Sequence, residues 1–136
     1  MMLTFDDIQN QIYQFGKILN IPRENLKIYN AQQIDGTPFI SIIGDEYHYI
    51  SMERGQILSE NRAKDIDELL YWIMKDILWQ EASDFELKNR RPNQDFRRLF
   101  FAKQLELMGK INSLWELKRQ NEIIDILSVA PYNDDI

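Results

Sequence analysis

The chain contains no cysteine, a single histidine, four prolines and five glycines in 136 residues. Without cysteine there is no disulfide framework and no thiolate metal site, and a small secreted domain would usually have some. With His48 alone, no histidine metal cluster, Ser-His-Asp triad or Cys-His pair can be assembled except around that residue. The glycines are scattered singly, so neither a glycine-rich phosphate loop nor a nucleophile elbow is present. No stretch approaches the roughly 20 apolar residues that span a bilayer. The start, Met-Met-Leu-Thr-Phe-Asp-Asp, lacks the basic opening and apolar run of a signal peptide. These features predict a soluble protein of the cytoplasm. Excess positive charge is also missing: the formal net charge is −6 and the pI near 4.8. Non-specific binding to nucleic acid or anionic membrane is therefore disfavoured, while a basic protein partner is accommodated.

What is present reads as one domain, long enough to bury a core without staples. The organising stretch is Asp65 to Trp79, where Ile66, Leu69, Leu70, Ile73 and Ile77 recur at helical spacing. Tyr71, Met74 and Leu78 widen that stripe, and Trp72 and Trp79 fall on a face almost opposite. A helix apolar around most of its circumference must be covered on more than one side, so a sheet is expected on one face and helices on another. Asp65 is its predicted N-cap, with Glu68 at the capping-box position and Asp67 adding favourable charge to the first turn. The tryptophans, Trp115 included, are expected in the core.

Ahead of it, Thr4 and Asp7 open a helix over 4–19 with Ile8, Ile12, Phe15 and Leu19 on one stripe, and Asn20-Ile21-Pro22 ends it. Leu26–Tyr29 suits a short strand. Asp35-Gly36 signals a turn, and Phe39–Ile43 with Tyr47–Met52 predicts an antiparallel hairpin. Gln56–Lys64 fits either an edge strand or a loop. The sheet is thus placed at about 26–60. Period-two alternation puts Tyr47, Tyr49, Ser51 and Glu53 on one face and His48, Ile50 and Met52 on the other. Either face could meet the central helix.

A helical part at about 65–130 follows. The central helix is expected to end near Leu87, before the break at Lys88–Asn93. A third helix is predicted from Asn93 to Ile111 on a stripe of Phe96, Leu99, Phe100, Leu107 and Ile111. A last one is predicted from Leu114 to Val129, with Ser113 and Glu116 as a capping box, Leu117, Ile123, Ile124 and Leu127 inward, and a possible break at Asn121. The fold class is α+β: an N-terminal helix, a small antiparallel meander of about three strands, then a bundle of about three helices. Charge is segregated along this part, with residues 65–87 carrying net −6 and residues 88–119 net +6. That pattern predicts an antiparallel pair whose flanks neutralise each other, each exposed ion pair contributing about 0 to 1 kcal/mol.

Chemistry-bearing residues are sparse. His48 reads as an ordinary strand histidine; a small enzyme using it with Glu46 or Glu53 is the remote alternative. Arg90-Arg91 and Arg97-Arg98 with Lys103, interleaved with Phe96, Phe100 and Phe101, superficially match a nucleic-acid surface. Nearby acids such as Asp95 argue instead for internal pairing. No catalytic, cofactor or metal site is predicted.

Several short motifs occur together: Glu53-Arg54-Gly55 at a strand end, Asp67-Glu68-Leu69-Leu70-Tyr71-Trp72 on the helix, Asn89-Arg90, Asp95-Phe96-Arg97-Arg98, and the closing Pro131-Tyr132-Asn133-Asp134. Together they resemble the immunity proteins of bacterial polymorphic toxin systems, and among these the chain is similar to the family catalogued as immunity protein sixty-three. The resemblance runs from about Phe39 to Asp134. It implies an α+β protein without enzymatic activity, held in the cytoplasm of a toxin-producing bacterium, that binds and blocks a cognate toxin domain. The closing motif departs from the pattern at Asn133, where an acid is expected. Tyr47, Tyr49, Glu53, Asp134 and Asp135 are the expected toxin-facing residues, and Arg54, Arg97 and Arg98 are expected to hold the fold together. The runner-up is a non-catalytic adaptor with another protein partner. No nucleic acid, membrane or cofactor is expected, and the sequence leaves the oligomeric state open.

Overall fold

In a computed structural model, which describes residues 2–135, helix α1 covers Phe5–Leu19, three strands β1 (Phe39–Ile43), β2 (Glu46–Glu53) and β3 (Gln56–Ala63) follow, and three helices α2 (Ile66–Lys88), α3 (Phe96–Ile111) and α4 (Ser113–Val129) complete the chain. This is the expected α+β order. Packing divides the chain into two compact units, one ending at Ile73 and the other beginning at Met74, so that the division falls within α2.

In the first unit, α1 starts on a complete capping box: Thr4 Oγ1 accepts from the Asp7 amide, and the Asp7 carboxylate accepts from the Thr4 amide. Asn20 closes the helix in a left-handed conformation with φ 58°. Ile8, Ile12 and Gly16 are its buried face, whereas Phe15 and Leu19 of the predicted stripe are only half-buried. Gly16 is inside because the Leu26 side chain occupies the space a Cβ would need.

Leu26–Tyr29 is not a strand, which corrects the sequence reading and shifts the sheet to residues 39–63. A 3₁₀ turn at Arg23–Asn25 delivers Leu26 to the core. The side-chain amide of Gln9 then does what a neighbouring strand would do. Its Nε2 donates to the Leu26 carbonyl at 2.9 Å and its Oε1 accepts from the Ile28 amide at 2.9 Å. With these groups satisfied by α1, only the Tyr29 carbonyl reaches β1, accepting from the Ile40 amide.

The sheet has the order β1-β2-β3, antiparallel throughout. The β2–β3 hairpin closes at Arg54-Gly55, both at positive φ, 53° and 78°, the paired left-handed conformation that matches the twist of a two-residue hairpin. That turn makes Gln56–Ala63 a strand and not a loop. Tyr47 and His48 point to opposite faces and both are buried, so each face is covered at this end of the sheet. Tyr49 stacks on Trp72, ring centroids 6.4 Å apart and planes 19° apart, which assigns the Tyr47/Tyr49 face to the start of α2.

Helix α2 begins as expected, with the Asp65 carboxylate accepting from the Glu68 amide at 2.8 Å. Leu69, Leu70, Tyr71, Ile73 and Met74 are buried around most of its circumference, after which burial narrows to a single stripe through Leu78, Ala82 and Glu86. Trp79 falls outside that stripe. In the second unit, α3 starts three residues later than predicted, because Asn93 adopts φ 59° and the buried Asp95 supplies the cap, accepting from the Arg97 amide. Asn112 ends α3 and caps α4 through the amides of Leu114 and Trp115, so Ser113 is the first helical residue and not the cap. Helix α4 is continuous through Asn121.

The core here joins Ala82, Phe100, Phe101 and Ile123, with Leu105, Leu127 and Tyr132 against it. Three predicted inward residues lie substantially exposed, namely Phe96, Leu117 and Ile124, and Phe101, Gln104, Met108, Trp115 and Arg119 are buried instead. Apolar residues stand on more than one side of both helices, and the partner surface selects the buried face.

A candidate partner-binding surface

Five residues were expected to face a toxin, and the structure places them in different settings. Tyr47 is 2% exposed, and its hydroxyl accepts from the Leu3 amide at 2.8 Å; it is a packing residue, because the chain start covers its face of the sheet. Tyr49 is half-buried on Trp72. Glu53 is exposed beside the β2–β3 turn, at a shallow depression it shares with Arg54, Gln56 and Leu58. Asp134 is engaged inside its own unit. Asp135 is exposed.

The engagement of Asp134 is part of a clasp on the final residues. Asp95 is buried and bonded to Arg97 at 2.9 Å, and its Oδ2 also accepts from the Asn133 amide. Arg97 donates onward to the carbonyls of Ala130 and Pro131, both at 2.9 Å. Asp134 Oδ1 accepts from the Asp95 amide and from Arg98, whose guanidinium lies 4.2 Å from the centroid of the Tyr132 ring. The Arg97 guanidinium holds the Asp95 carboxyl far below the usual carboxylate range, and Arg98 lowers Asp134. Burial raises the Tyr132 phenol. The arginine pair thus ties the tail to the start of α3, and the Asn133 side chain accepts from the Asp135 amide within the same turn. Charge neutralisation along α3 also differs from expectation. Arg97 pairs with its own cap, Arg98 with the tail, and Lys103 and Lys110 with Glu106 of the same helix. Lys103 rests on the Phe85 ring of α2 at 4.4 Å, a contact with an aromatic face and not with an acid.

His48 is buried, with Nδ1 2.9 Å from Glu60 of β3, and Glu60 also accepts from Arg62 at 3.0 Å. The hydrogen bonds from His48 and then Arg62 lower the Glu60 carboxyl. The acid that His48 meets is therefore neither Glu46 nor Glu53. Glu53, five residues along the same strand, stands about 16 Å away at the strand rise. This is a cross-strand tie within the sheet. Among the described residues, no group of three or more histidine, aspartate or glutamate side chains is arranged to hold a metal ion.

An aromatic surface of the second unit was not anticipated. Trp79 is 50% exposed, although the sequence reading placed it in the core, and its ring meets Phe100 edge-on at 4.6 Å. Phe96 stands 6.4 Å from Phe100 on the same side and is itself half-exposed, as is Leu87. A depression of about 200 Å³ lies between Ser83, Glu86, Leu87, Arg90, Phe96 and Phe100. Its floor is braced by the Glu86–Arg90 pair at 2.6 Å, in which Glu86 is buried and its carboxyl lowered by the arginine. Two phenylalanines and an arginine line this hollow, and Trp79 touches one of them, Phe100; aromatic residues and arginine are enriched at the energetic centres of protein interfaces. The available signal in sequence was the seven-residue step from Trp72 to Trp79 together with Phe96, read there as core.

Residues 44–125, more than half of the chain, match the family model described as Immunity protein 63, and the chain belongs to that family. Four of the five motifs that carried the resemblance lie within this span; Pro131–Asp134 lies beyond it. No curated protein and no solved structure matches the chain. Membership in an immunity protein family implies a cognate toxin as partner. No helix among the described residues is long and apolar enough to cross a membrane.

Proposed function

We propose that the chain neutralises its cognate toxin in the cytoplasm by one-to-one protein–protein binding that covers or distorts the toxin's active site, with no catalysis of its own. The family match carries this reading, and the Trp79–Leu87–Phe96 surface supports it as the place where binding energy concentrates. Tyr49, Glu53 and Asp135 are further contacts in this proposal, as half-exposed or exposed residues of the kind that tune orientation and encounter rate. Asp134 contributes through the clasp, and Tyr47 through packing. A net charge of −6 suits a basic toxin, for which opposite charge accelerates association and makes it salt-dependent.

Co-expression with the toxin encoded next to this gene is the direct test: the pair should co-purify at equal stoichiometry and toxicity should disappear. Failure on both counts would sink the proposal. Trp79→Ala should weaken the complex by about 10- to 100-fold with thermal stability nearly unchanged, because truncating a central tryptophan costs about 2 kcal/mol or more of binding. A wild-type affinity in that variant would move the interface away from α2.

A further inference from the structure

The aromatic surface of the second unit does not end at the hollow beside Phe100. A second depression, of about 300 Å³, lies between Arg90, Arg91, Pro92, Asn93, Gln94 and Phe96. Arg90 and Phe96 line both, so the two run together as one groove. Leu87, Phe96 and Phe100 give it an apolar end, and the connection between α2 and α3 forms the other. That connection is held on both sides. The Asn89 amide donates to the Phe85 and Glu86 carbonyls, the Asn89 side chain also donates to Phe85, and the Asp95 amide donates to Asp134. Between these anchors Asn93 turns the chain at φ 59°, in the left-handed region. A groove shaped before its occupant arrives loses less conformational freedom on binding.

The charge at the connection is not neutralised. From Leu87 to Gln94 there are three cations, Lys88, Arg90 and Arg91, and no acid. The two acids that bracket this stretch are already committed, Glu86 to Arg90 and Asp95 to Arg97. Arg91 is exposed, and among the described residues no side-chain hydrogen bond or ion pair engages it. A free guanidinium thus borders an apolar groove, in a chain whose net charge is −6.

We propose that this groove takes a segment of the toxin in which an apolar side chain stands beside an aspartate or glutamate. The apolar group fills the hollow against Phe100, and the carboxylate meets Arg91. The inference rests on the toxin-neutralising reading and names what that surface recognises. A guanidinium presents a planar fork of N–H donors matched to a carboxylate, and charge-assisted bonds of this kind are about twice as strong as neutral ones. A lysine or arginine in the same place would be set against Arg91, so the groove rejects it. The acidic chain as a whole draws in a basic toxin, and the groove then selects the orientation that brings an acid to Arg91.

Phenylbutyrate, an aromatic ring and a carboxylate on a short chain, is the probe, and phenylbutylamine is the control of opposite charge. In nitrogen–proton correlation spectra of the full chain, phenylbutyrate should shift the Trp79 indole and the Arg91 and Phe96 amides with a Kd on the order of 1 mM. The amine should bind several-fold more weakly. Arg91→Glu, at an exposed and unpaired position that leaves the fold intact by circular dichroism, should reverse that preference. In the complex the same variant should weaken toxin binding about 10- to 100-fold. Long-range attraction predicts the opposite sign, because making an acidic chain more acidic strengthens its hold on a basic partner. Equal binding of the two probes, or a toxin affinity unchanged or raised by Arg91→Glu, would overturn the proposal and leave neutralisation standing. A chain that neither co-purifies with the toxin nor protects against it would remove both readings.

Discussion

In the first unit the fully buried side chains are aliphatic or aromatic: Ile8, Ile12, Leu26, Tyr47, Leu69, Tyr71 and Ile73. His48 is its buried polar residue among those described, tied to one neighbouring strand. The second unit buries Glu86, Asp95, Gln104 and Arg119. There Arg119 donates to Gln104 at 2.9 Å and to Glu122 at 3.1 Å, and Gln104 donates to the Lys75 carbonyl, so one polar chain joins α2, α3 and α4. The comparison teaches where each unit is vulnerable. Apolar packing loses stability in proportion to the volume removed. A buried polar network fails when any one member goes, since its partner is left without compensation, yet it can be exchanged wholesale for apolar groups at little cost.

The largest effect is expected in the apolar unit. Ile12→Ala removes a fully buried side chain and should cost about 4 kcal/mol, read from the urea midpoint. Asp95→Asn should cost about 3 kcal/mol, because Arg97 loses its carboxylate. This prediction has a pH signature. Asp95, Asp134 and Glu86 have carboxyls held below their ordinary values, so their contribution is present above about pH 4 and is lost as pH falls. The wild type should therefore weaken steadily below that pH, and Asp95→Asn should flatten the slope. If the variant titrated like the wild type, the clasp would not govern the second unit.

Arg119→Met alone should cost about 2 kcal/mol, while Arg119→Met with Gln104→Leu should recover most of it. Additive losses in the pair would erase the distinction between the units. The smallest effect is Gly16→Ala. Alanine favours the helix by about 1 kcal/mol, but its Cβ must displace Leu26, which costs about 1 to 3 kcal/mol. A net loss of about 1 kcal/mol is expected, and a gain would mean that Leu26 moves aside freely.

Particular residues show where the sequence was readable. The caps at Thr4 and Asp65 and the start and end of α1 follow from side chains within three or four positions of one another, and all were legible. The capping of α3 by Asp95 was not, because its carboxylate is aligned by Arg97 and by the Asn133 amide 38 residues away. The Leu26–Tyr29 segment has strand-like composition, and a glutamine amide from α1 took the place of a strand partner. Trp79 is as apolar in sequence as Trp115, yet one is half-exposed and the other buried. Periodicity marks a helix with apolar residues on several sides but does not say which side finds a neighbour.

The sequence by itself determined the order of the four helices and of the β1–β2 hairpin, the caps at Thr4 and Asp65, and, through its short motifs, the family, because each of these depends on residues close together in the chain. Tertiary structure decided which face of α2, α3 and α4 went inward, which acids became partners of the arginines, and which aromatics stayed at the surface. Those outcomes depend on groups far apart in sequence competing for the same buried volume, and only the packed chain resolves that competition.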